Sequence, residues 1–197
     1  MAGMKSLPLE EVDSLINRLP AKYQALVALG VTTGCRISEV LQLRRFDVLT
    51  KDGNLKEKIS FLKLKSKKGD TPHRKMPIPE KYRKYIIRHL LEEENRGYDR
   101  PDDLLFRGKL GMPLRRQTAY KVFRENLGEG FGTHWMRKTF AQEMFRYFSR
   151  KTPEDPMRAL ELCRRALGHA RLDTTVKYLG ITESSIEEAQ NAIFNRE

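Results

Sequence analysis

Residues 167–178 read Leu-Gly-His-Ala-Arg-Leu-Asp-Thr-Thr-Val-Lys-Tyr, a pattern that predicts two helices joined by a tight turn. Gly168 is typical of a residue that ends a helix, because glycine readily adopts the left-handed backbone found there. His169 follows in the turn, and Tyr178 closes the short second helix. A tyrosine hydroxyl has a pKa of about 10, so it is a weak nucleophile unless a base or nearby cations assist it. Taken alone, Tyr178 is more often a core aromatic residue.

An arginine motif lies far upstream, in Thr33-Gly34-Cys35-Arg36-Ile37-Ser38-Glu39. Arg36 follows a glycine-containing break and opens a helix. An arginine at this position can donate two parallel hydrogen bonds to two phosphate oxygens. Glu39 lies one turn along the same face and is expected to hold the guanidinium in place. Taken alone, this spacing is more often a structural ion pair at a helix start.

A histidine–arginine motif, His134-Trp135-Met136-Arg137, follows Thr133, which is expected to cap the helix that carries the motif. His134 and Arg137 are three residues apart and share one helical face. Taken alone, the motif is more often a histidine packed under a tryptophan beside a surface arginine. The three motifs together offer a hydroxyl, two histidines and two permanent cations. This set suits attack on a phosphodiester.

The charge of the chain favours a polyanionic partner. The 197 residues carry a net charge of +12, and the pI is about 9.8. The charge is uneven, since residues 51–90 contain 13 Lys or Arg against 4 Asp or Glu. Residues 183–197 are acidic, with four Glu against one Arg. Binding of such a basic chain to nucleic acid is favoured because each neutralised phosphate releases counterions.

Other features of the composition indicate a reducing compartment. Cys35 and Cys163 are the only cysteines and read as free thiols. No apolar run is long enough for a transmembrane helix, and residues 1–6 lack an apolar signal region. We therefore expect a cytoplasmic, nucleoid-associated protein with no membrane partner.

The element pattern predicts a mainly α (α+β) domain with a small three-stranded antiparallel sheet at one edge. Alternation in residues 59–65 and 75–78, around a basic tip at 66–73, predicts a hairpin. Asp52-Gly53 suggests another tight turn before it, and hence the third strand. Residues 23–31 form a strongly apolar helical stretch that is expected to lie in the core. Further helices are predicted near 79–95, 115–127, 133–149, 155–167, 172–179 and 183–195.

The three motifs, in this order, resemble the catalytic domain of the tyrosine recombinase (phage integrase) family. The resemblance runs from about Leu7 to Tyr178. It implies a single catalytic domain over residues 1–197 without the N-terminal core-binding domain of most members. It also implies that the acidic helix at 183–197 docks on its own domain or on a neighbouring protomer, alternatives that the sequence leaves open.

The resemblance implies a role for each matching residue. Tyr178 would attack the scissile phosphate and form a 3′-phosphotyrosyl link with release of a 5′-hydroxyl. Arg36 and Arg137 would clamp the non-bridging oxygens, and His134 would accept the tyrosine proton. His169 would donate a hydrogen bond to the phosphate.

The hairpin would supply the remaining proton and part of the DNA contact. A hairpin lysine would protonate the leaving 5′-oxygen, and Lys67 matches the family pattern better than the alternative, Lys68. The residues expected to bind DNA are Lys63, Lys65, Arg74 and Lys75. The mechanism implied by the resemblance needs no metal ion, cofactor or ATP.

The expected partner is double-stranded DNA, with a monomer in solution and a homotetramer on DNA. The leading interpretation is a site-specific DNA recombinase of a mobile genetic element. A type IB topoisomerase-like enzyme uses similar chemistry but relaxes supercoils as a monomer. A catalytically silent DNA-binding module is the third reading, although such a module would have no need of Tyr178. The DNA target and the biological role, whether integration, excision, resolution or inversion, are not encoded in these motifs.

Overall fold

Helices form most of the described chain, which in this computed structural model comprises residues 5–62 and 73–179. The chain divides into two compact units, Met1–Phe140 and Ala141–Glu197. The described elements are α1 (Leu9–Ile16), α2 (Ala21–Thr33), α3 (Ile37–Val40), α4 (Arg45–Val48), β1 (Lys58–Leu62), β2 (His73–Pro77), α5 (Glu80–Glu94), α6 (Arg116–Leu127), α7 (Trp135–Lys151), α8 (Pro156–Leu167) and α9 (Leu172–Leu179). None of the described helices is long and apolar enough to cross a membrane.

Helix α2 lies at the centre of the first unit. Its residues from Ala25 to Gly30 are all buried, on every side of the helix. Because protein surrounds this helix, no face of it contacts solvent, and its sequence is apolar on all sides rather than along one stripe. Helix α2 packs against both α1 and α5. The prediction that residues 23–31 lie in the core is confirmed.

The sheet has two strands among the described residues, so the prediction of three strands is wrong. Strands β1 and β2 pair antiparallel, with Lys58 opposite Pro77 and Leu62 opposite His73. The expected turn at Asp52-Gly53 exists, but it closes tightly between Thr50 and Asn54. Because α4 occupies the residues just before it, only the single bridge between Leu49 and Leu55 remains where a strand was expected.

The predicted helix boundaries between residues 79 and 179 agree with the structure to within about two residues. Thr133 does not cap α7 as expected, because the helix begins at Trp135 and the buried Thr133 hydroxyl has no hydrogen-bond partner among the described residues. The helix predicted at 183–195 lies outside the described residues.

The second unit contains the rest of α7, α8 and α9. Asp155 caps α8 by accepting a hydrogen bond from the backbone N–H of Arg158, and Pro156 occupies the first turn. Helix α8 buries a stripe of Ala159, Cys163 and Leu167. It ends at Gly168, whose φ of 66° is left-handed as the sequence predicts. Both cysteines of the chain are free and buried, and burial raises the pKa of the Cys163 thiol to about 11.

Candidate active site

The loop after α2 holds the first group of site residues. Gly34 ends the helix with φ 58°, and a side chain added at this position would collide with the ring of Phe140. Glycine is therefore required for both backbone conformation and space. The carbonyl oxygen of Gly34 accepts a hydrogen bond from Arg137. The neighbouring carbonyl of Thr33 accepts one from Arg74, so two guanidinium groups hold the loop that leads into Arg36.

Arg36 is held at the start of α3 by Glu39. The Arg36 guanidinium lies 3.1 Å from one Glu39 carboxylate oxygen, and the Arg36 backbone N–H donates to the other at 2.8 Å. Glu39 is buried, whereas the Arg36 side chain is about one-third exposed. The buried carboxylate thus fixes one side of a guanidinium whose other side faces solvent. The contact expected from the sequence spacing is present.

The start of α7 holds the second pair of motif residues. Trp135 is fully buried and packs edge-on against Phe123, with ring centroids 5.9 Å apart. Its neighbour Met136 packs against Gly30 of α2. These two contacts fix the first turn of the helix, so His134 and Arg137 on either side of them have little freedom. Arg137 is 2% exposed.

The environment of His134 favours its neutral form. Burial lowers the pKa of this half-buried imidazole below its usual 6.5, and the charges of Arg116, Arg137 and Arg36 lower it further. A neutral imidazole has a lone pair that can accept a proton near pH 7. The positive charges of three arginines therefore act on the same histidine. Arg116, at the start of α6, was not singled out from the sequence.

The second unit holds His169 and Tyr178. Nδ1 of His169 lies 3.0 Å from the hydroxyl of Thr175, and both residues are buried. The His169 carbonyl accepts a hydrogen bond of 2.5 Å from Arg164. The His169 and Tyr178 ring centroids are 5.2 Å apart, so imidazole and phenol are neighbours. Tyr178 itself is half-buried near the end of α9, as the sequence predicts.

The predicted residues fall into groups with different outcomes. Arg36, Glu39, His134 and Arg137 gather in the first unit, and His169 and Tyr178 gather in the second. Arg74, expected to bind DNA, is half-buried and bonds the Thr33 carbonyl, while Lys75 beside it is exposed on β2. The other predicted cations, Lys63, Lys65, Lys67 and Lys68, lie outside the described residues.

Several supporting residues were missed by sequence reasoning. Arg116 lowers the pKa of His134 from a distant part of the chain, and Arg74, predicted only to bind DNA, bonds the Thr33 carbonyl; no spacing rule joins such residues. Arg164 and Thr175 lie close enough to His169 in the sequence for a helix-turn-helix model to have suggested them. Among residues 5–62 and 73–179, no three His, Cys, Asp or Glu side chains gather where they would hold a metal ion.

Comparison with known proteins identifies relatives along nearly the whole chain. The model of the phage integrase family matches residues 5–184. The probable integrase/recombinase YoeC of Bacillus subtilis (strain 168) is 28% identical over 89% of this chain and 86% of its own length. The tyrosine recombinase XerA of Pyrococcus furiosus is 29% identical over 94% of this chain, which spans only 60% of that protein.

A solved structure shares the fold. The XerH site-specific recombinase bound to palindromic difH substrate, in a post-cleavage complex, superimposes with a TM-score of 0.66 at 25% identity. The match covers 95% of this chain and 53% of the XerH chain. The chain thus spans little more than half of these longer relatives.

Proposed function

We propose a division of chemical roles among the site residues, from the premise that this chain belongs to the phage integrase family and is a tyrosine-type site-specific recombinase. Its substrate is double-stranded DNA, which it cleaves and rejoins one strand at a time. The topoisomerase-like and catalytically silent alternatives have no support among the relatives, which are named as integrases, transposases and recombinases.

The reaction is a transesterification at phosphorus. The Tyr178 oxygen attacks, a phosphotyrosyl bond forms, and the bond from phosphorus to the 5′-oxygen breaks. The tyrosine proton passes to His134, and the leaving 5′-oxygen takes a proton from a hairpin lysine. The reverse attack by a 5′-hydroxyl rejoins the strand. Because the phosphotyrosyl ester conserves the bond energy, rejoining of the strand requires no ATP.

The observation that carries this proposal is the convergence of two arginines on one loop. Arg137 bonds the Gly34 carbonyl two residues before Arg36, so the two guanidiniums are tied to one short segment. Glu39 fixes the orientation of Arg36 and leaves part of its guanidinium toward solvent. Preorganised cations of this kind stabilise the charge that develops on the non-bridging oxygens of the transition state.

The remaining roles follow from the chemistry of each side chain. His134 is the proton acceptor because burial and three arginines lower its pKa and keep its lone pair available. His169 donates to a phosphate oxygen beside Tyr178. Lys67 is the proposed general acid, with Lys68 as the alternative, and Lys63, Lys65, Arg74 and Lys75 are proposed to contact DNA.

We further propose that the chain assembles as a homotetramer on DNA through its acidic C-terminal segment. A groove of about 660 Å³ in the second unit is lined by Gln142, Phe145, Arg146, Ser149, Arg150, Pro153 and Leu179. Its two arginines complement the glutamates of residues 183–197, and its apolar lining residues Phe145, Pro153 and Leu179 suit the apolar residues Ile186, Ile193 and Phe194. In this arrangement the segment of one protomer occupies the groove of the next.

Cleavage of nicked duplexes by arginine variants tests the proposal. With DNA at saturation and EDTA present, Arg36→Ala is expected to slow formation of the covalent adduct by about 10²- to 10³-fold, because one positive charge that stabilises the transition state is lost. Arg83→Ala is the matched control, because Arg83 likewise forms an ion pair with a glutamate three residues away in the first unit, Glu80 at 3.3 Å. Equal losses in both variants would contradict the assigned clamp.

A further inference from the structure

The ring of His169 is held by Thr175, a residue that the proposed mechanism does not use. Thr175, in the middle of α9, is completely buried, and its hydroxyl lies 3.0 Å from Nδ1 of His169. The His169 side chain is buried as well, at 4% exposure. A buried hydrogen bond of this length between two side chains restricts both the position of the ring and the location of its proton.

Two threonines of α2 use their hydroxyl differently. Thr32 and Thr33 donate to the carbonyls of Ala28 and Leu29, one turn back along α2, at 2.6 Å each. This is the common use of a helical threonine hydroxyl. The hydroxyl of Thr175 is instead directed at the His169 ring. Its proton is therefore available to Nδ1.

The backbone of His169 is already held without Thr175. Its N–H donates to the Arg164 carbonyl at 3.1 Å, and its own carbonyl accepts from the Arg164 guanidinium. Arg164 is itself bonded to Glu161 through two nitrogens. With the backbone fixed by Arg164, the ring contact made by Thr175 bears on side-chain orientation and on the ring tautomer.

The tautomer matters because phosphate oxygens only accept hydrogen bonds. A neutral histidine carries one ring proton, so a ring that donates to phosphate from Nε2 must leave Nδ1 bare. A bare, buried Nδ1 requires a donor, because an unsatisfied polar atom in the interior is costly. The Thr175 hydroxyl is such a donor at hydrogen-bond distance.

We propose that Thr175 is a positioning residue whose hydroxyl donates to Nδ1 of His169 and keeps the ring proton on Nε2, facing the scissile phosphate. The inference rests on the proposed function for the phosphate contact of His169. The hydrogen bond and tautomer, however, can be measured without DNA.

The tautomer is measured directly by nitrogen NMR. Long-range ¹H–¹⁵N spectra of the full chain at pH 8, with His169 assigned by comparison with His169→Gln, distinguish the neutral tautomers and the imidazolium. We expect the wild-type ring to carry its proton on Nε2 alone. A proton on Nδ1, or on both nitrogens, overturns the proposal.

Matched variants then test the consequence for cleavage. Thr175→Val keeps the shape and removes the hydroxyl, and is expected to slow adduct formation about 10-fold at saturating DNA, while Thr175→Ser restores most of the rate. Thr174→Val is the control, because Thr174 is the exposed neighbour on the same helix. In a His169→Gln background the Thr175→Val change is expected to have no further effect.

The outcomes separate this inference from the proposed function. A Thr175→Val protein that cleaves like the wild type, or a Thr175→Ser protein as slow as Thr175→Val, overturns the role of the hydroxyl and leaves the recombinase assignment intact. Equal effects with and without His169 also overturn it. A wild-type protein that forms no adduct contradicts the proposed function instead, and the tautomer measurement still decides whether Thr175 donates to His169.

Discussion

His134 lies in an environment that differs from that of an exposed histidine. Burial and three nearby arginines all oppose its protonation, so the folded protein binds a proton at this position less readily than the unfolded chain. The depressed pKa has a defined consequence for stability. The contribution of neutral His134 is present above the unfolded pKa of about 6.5 and is lost as pH falls below it, because the unfolded state then takes up the proton.

The same shift predicts the pH dependence of cleavage. The acid limb of the rate profile is expected below pH 6.5, since His134 must be neutral to accept the tyrosine proton. Arg116→Ala removes the largest charge effect on His134 and is expected to move this limb toward higher pH. Single-turnover rates on a nicked duplex between pH 5 and 8 measure it.

The exposed neighbour of Arg116 supplies the control for that profile. Arg115→Ala removes an equal charge from the same end of α6, but Arg115 is not among the residues that lower the pKa of His134. Its acid limb is expected to coincide with that of the wild type. If Arg115→Ala and Arg116→Ala shift the limb equally, the net charge of the protein rather than the specific charge of Arg116 explains the effect.

At this scale, sequence spacing predicted local partners and missed distant ones. Glu39 is three residues from Arg36, and helical geometry alone brings the two together. The bond from Arg74 to the Thr33 carbonyl spans 41 residues and depends on how β2 packs against the end of α2. Arg116 reaches His134 for the same kind of reason. Such contacts follow from tertiary packing, which no local pattern contains.

Among the elements, the contact between α2 and α7 fixes the site most directly. A Cβ added at Gly30 would lie 2.4 Å from the sulfur of Met136 and 2.9 Å from its Cβ. Movement of the flexible end of Met136 would therefore not relieve the overlap. The first turn of α7, with His134 and Arg137, would have to shift away from α2.

We expect Gly30→Ala to lower the free energy of unfolding by about 1–3 kcal/mol, despite the better helix propensity of alanine. The adduct rate is expected to fall as well. Urea unfolding measures the first effect and the nicked duplex the second.

A double variant separates packing from helix propensity. Met136→Ala removes the overlap with the sulfur and leaves only the one with Cβ, so Gly30→Ala is expected to cost less in the Met136→Ala background than in the wild type. Additive losses in the double variant would contradict the steric explanation.

The elements themselves were predicted well where the chain is punctuated. Gly168 marks the end of α8 in the sequence, and the structure agrees. The prediction of a third strand was wrong because the turn at Asp52-Gly53 says nothing about the residues before it. Those residues form α4, so they cannot pair as a strand, and only the bridge between Leu49 and Leu55 forms. The prediction that Thr133 caps α7 was wrong because the helix begins two residues later, at Trp135, and the buried Thr133 hydroxyl does not bond its backbone.

At the scale of the whole molecule, the proposed catalytic residues are divided between the two units: Arg36, His134 and Arg137 lie in the first, and His169 and Tyr178 lie in the second. The family assignment, predicted from three motifs in order, is confirmed by a match over residues 5–184. The homotetramer remains a prediction. It depends on the groove of the second unit and the acidic segment at 183–197.

Charge reversal tests that assembly. Arg146→Glu combined with Arg150→Glu is expected to reduce cross-linked tetramer on DNA, because both arginines line the groove. Adding Glu187→Arg and Glu188→Arg is expected to restore it, since the charges again match. The control is Arg158→Glu, an exposed change on α8 outside the groove. Unchanged tetramer in the doubly reversed groove would rule out this docking mode.

The covalent link itself tests the central claim most directly. The protein is trapped on a nicked duplex carrying its target site, digested with protease, and the DNA-bound peptide is identified by mass spectrometry. We predict a 3′-phosphate joined to the oxygen of Tyr178, a free 5′-hydroxyl, no adduct in Tyr178→Phe, and an undiminished adduct in Tyr147→Phe, which changes an exposed tyrosine of the same unit. A link through any other residue, or an adduct that persists in Tyr178→Phe, would contradict the account.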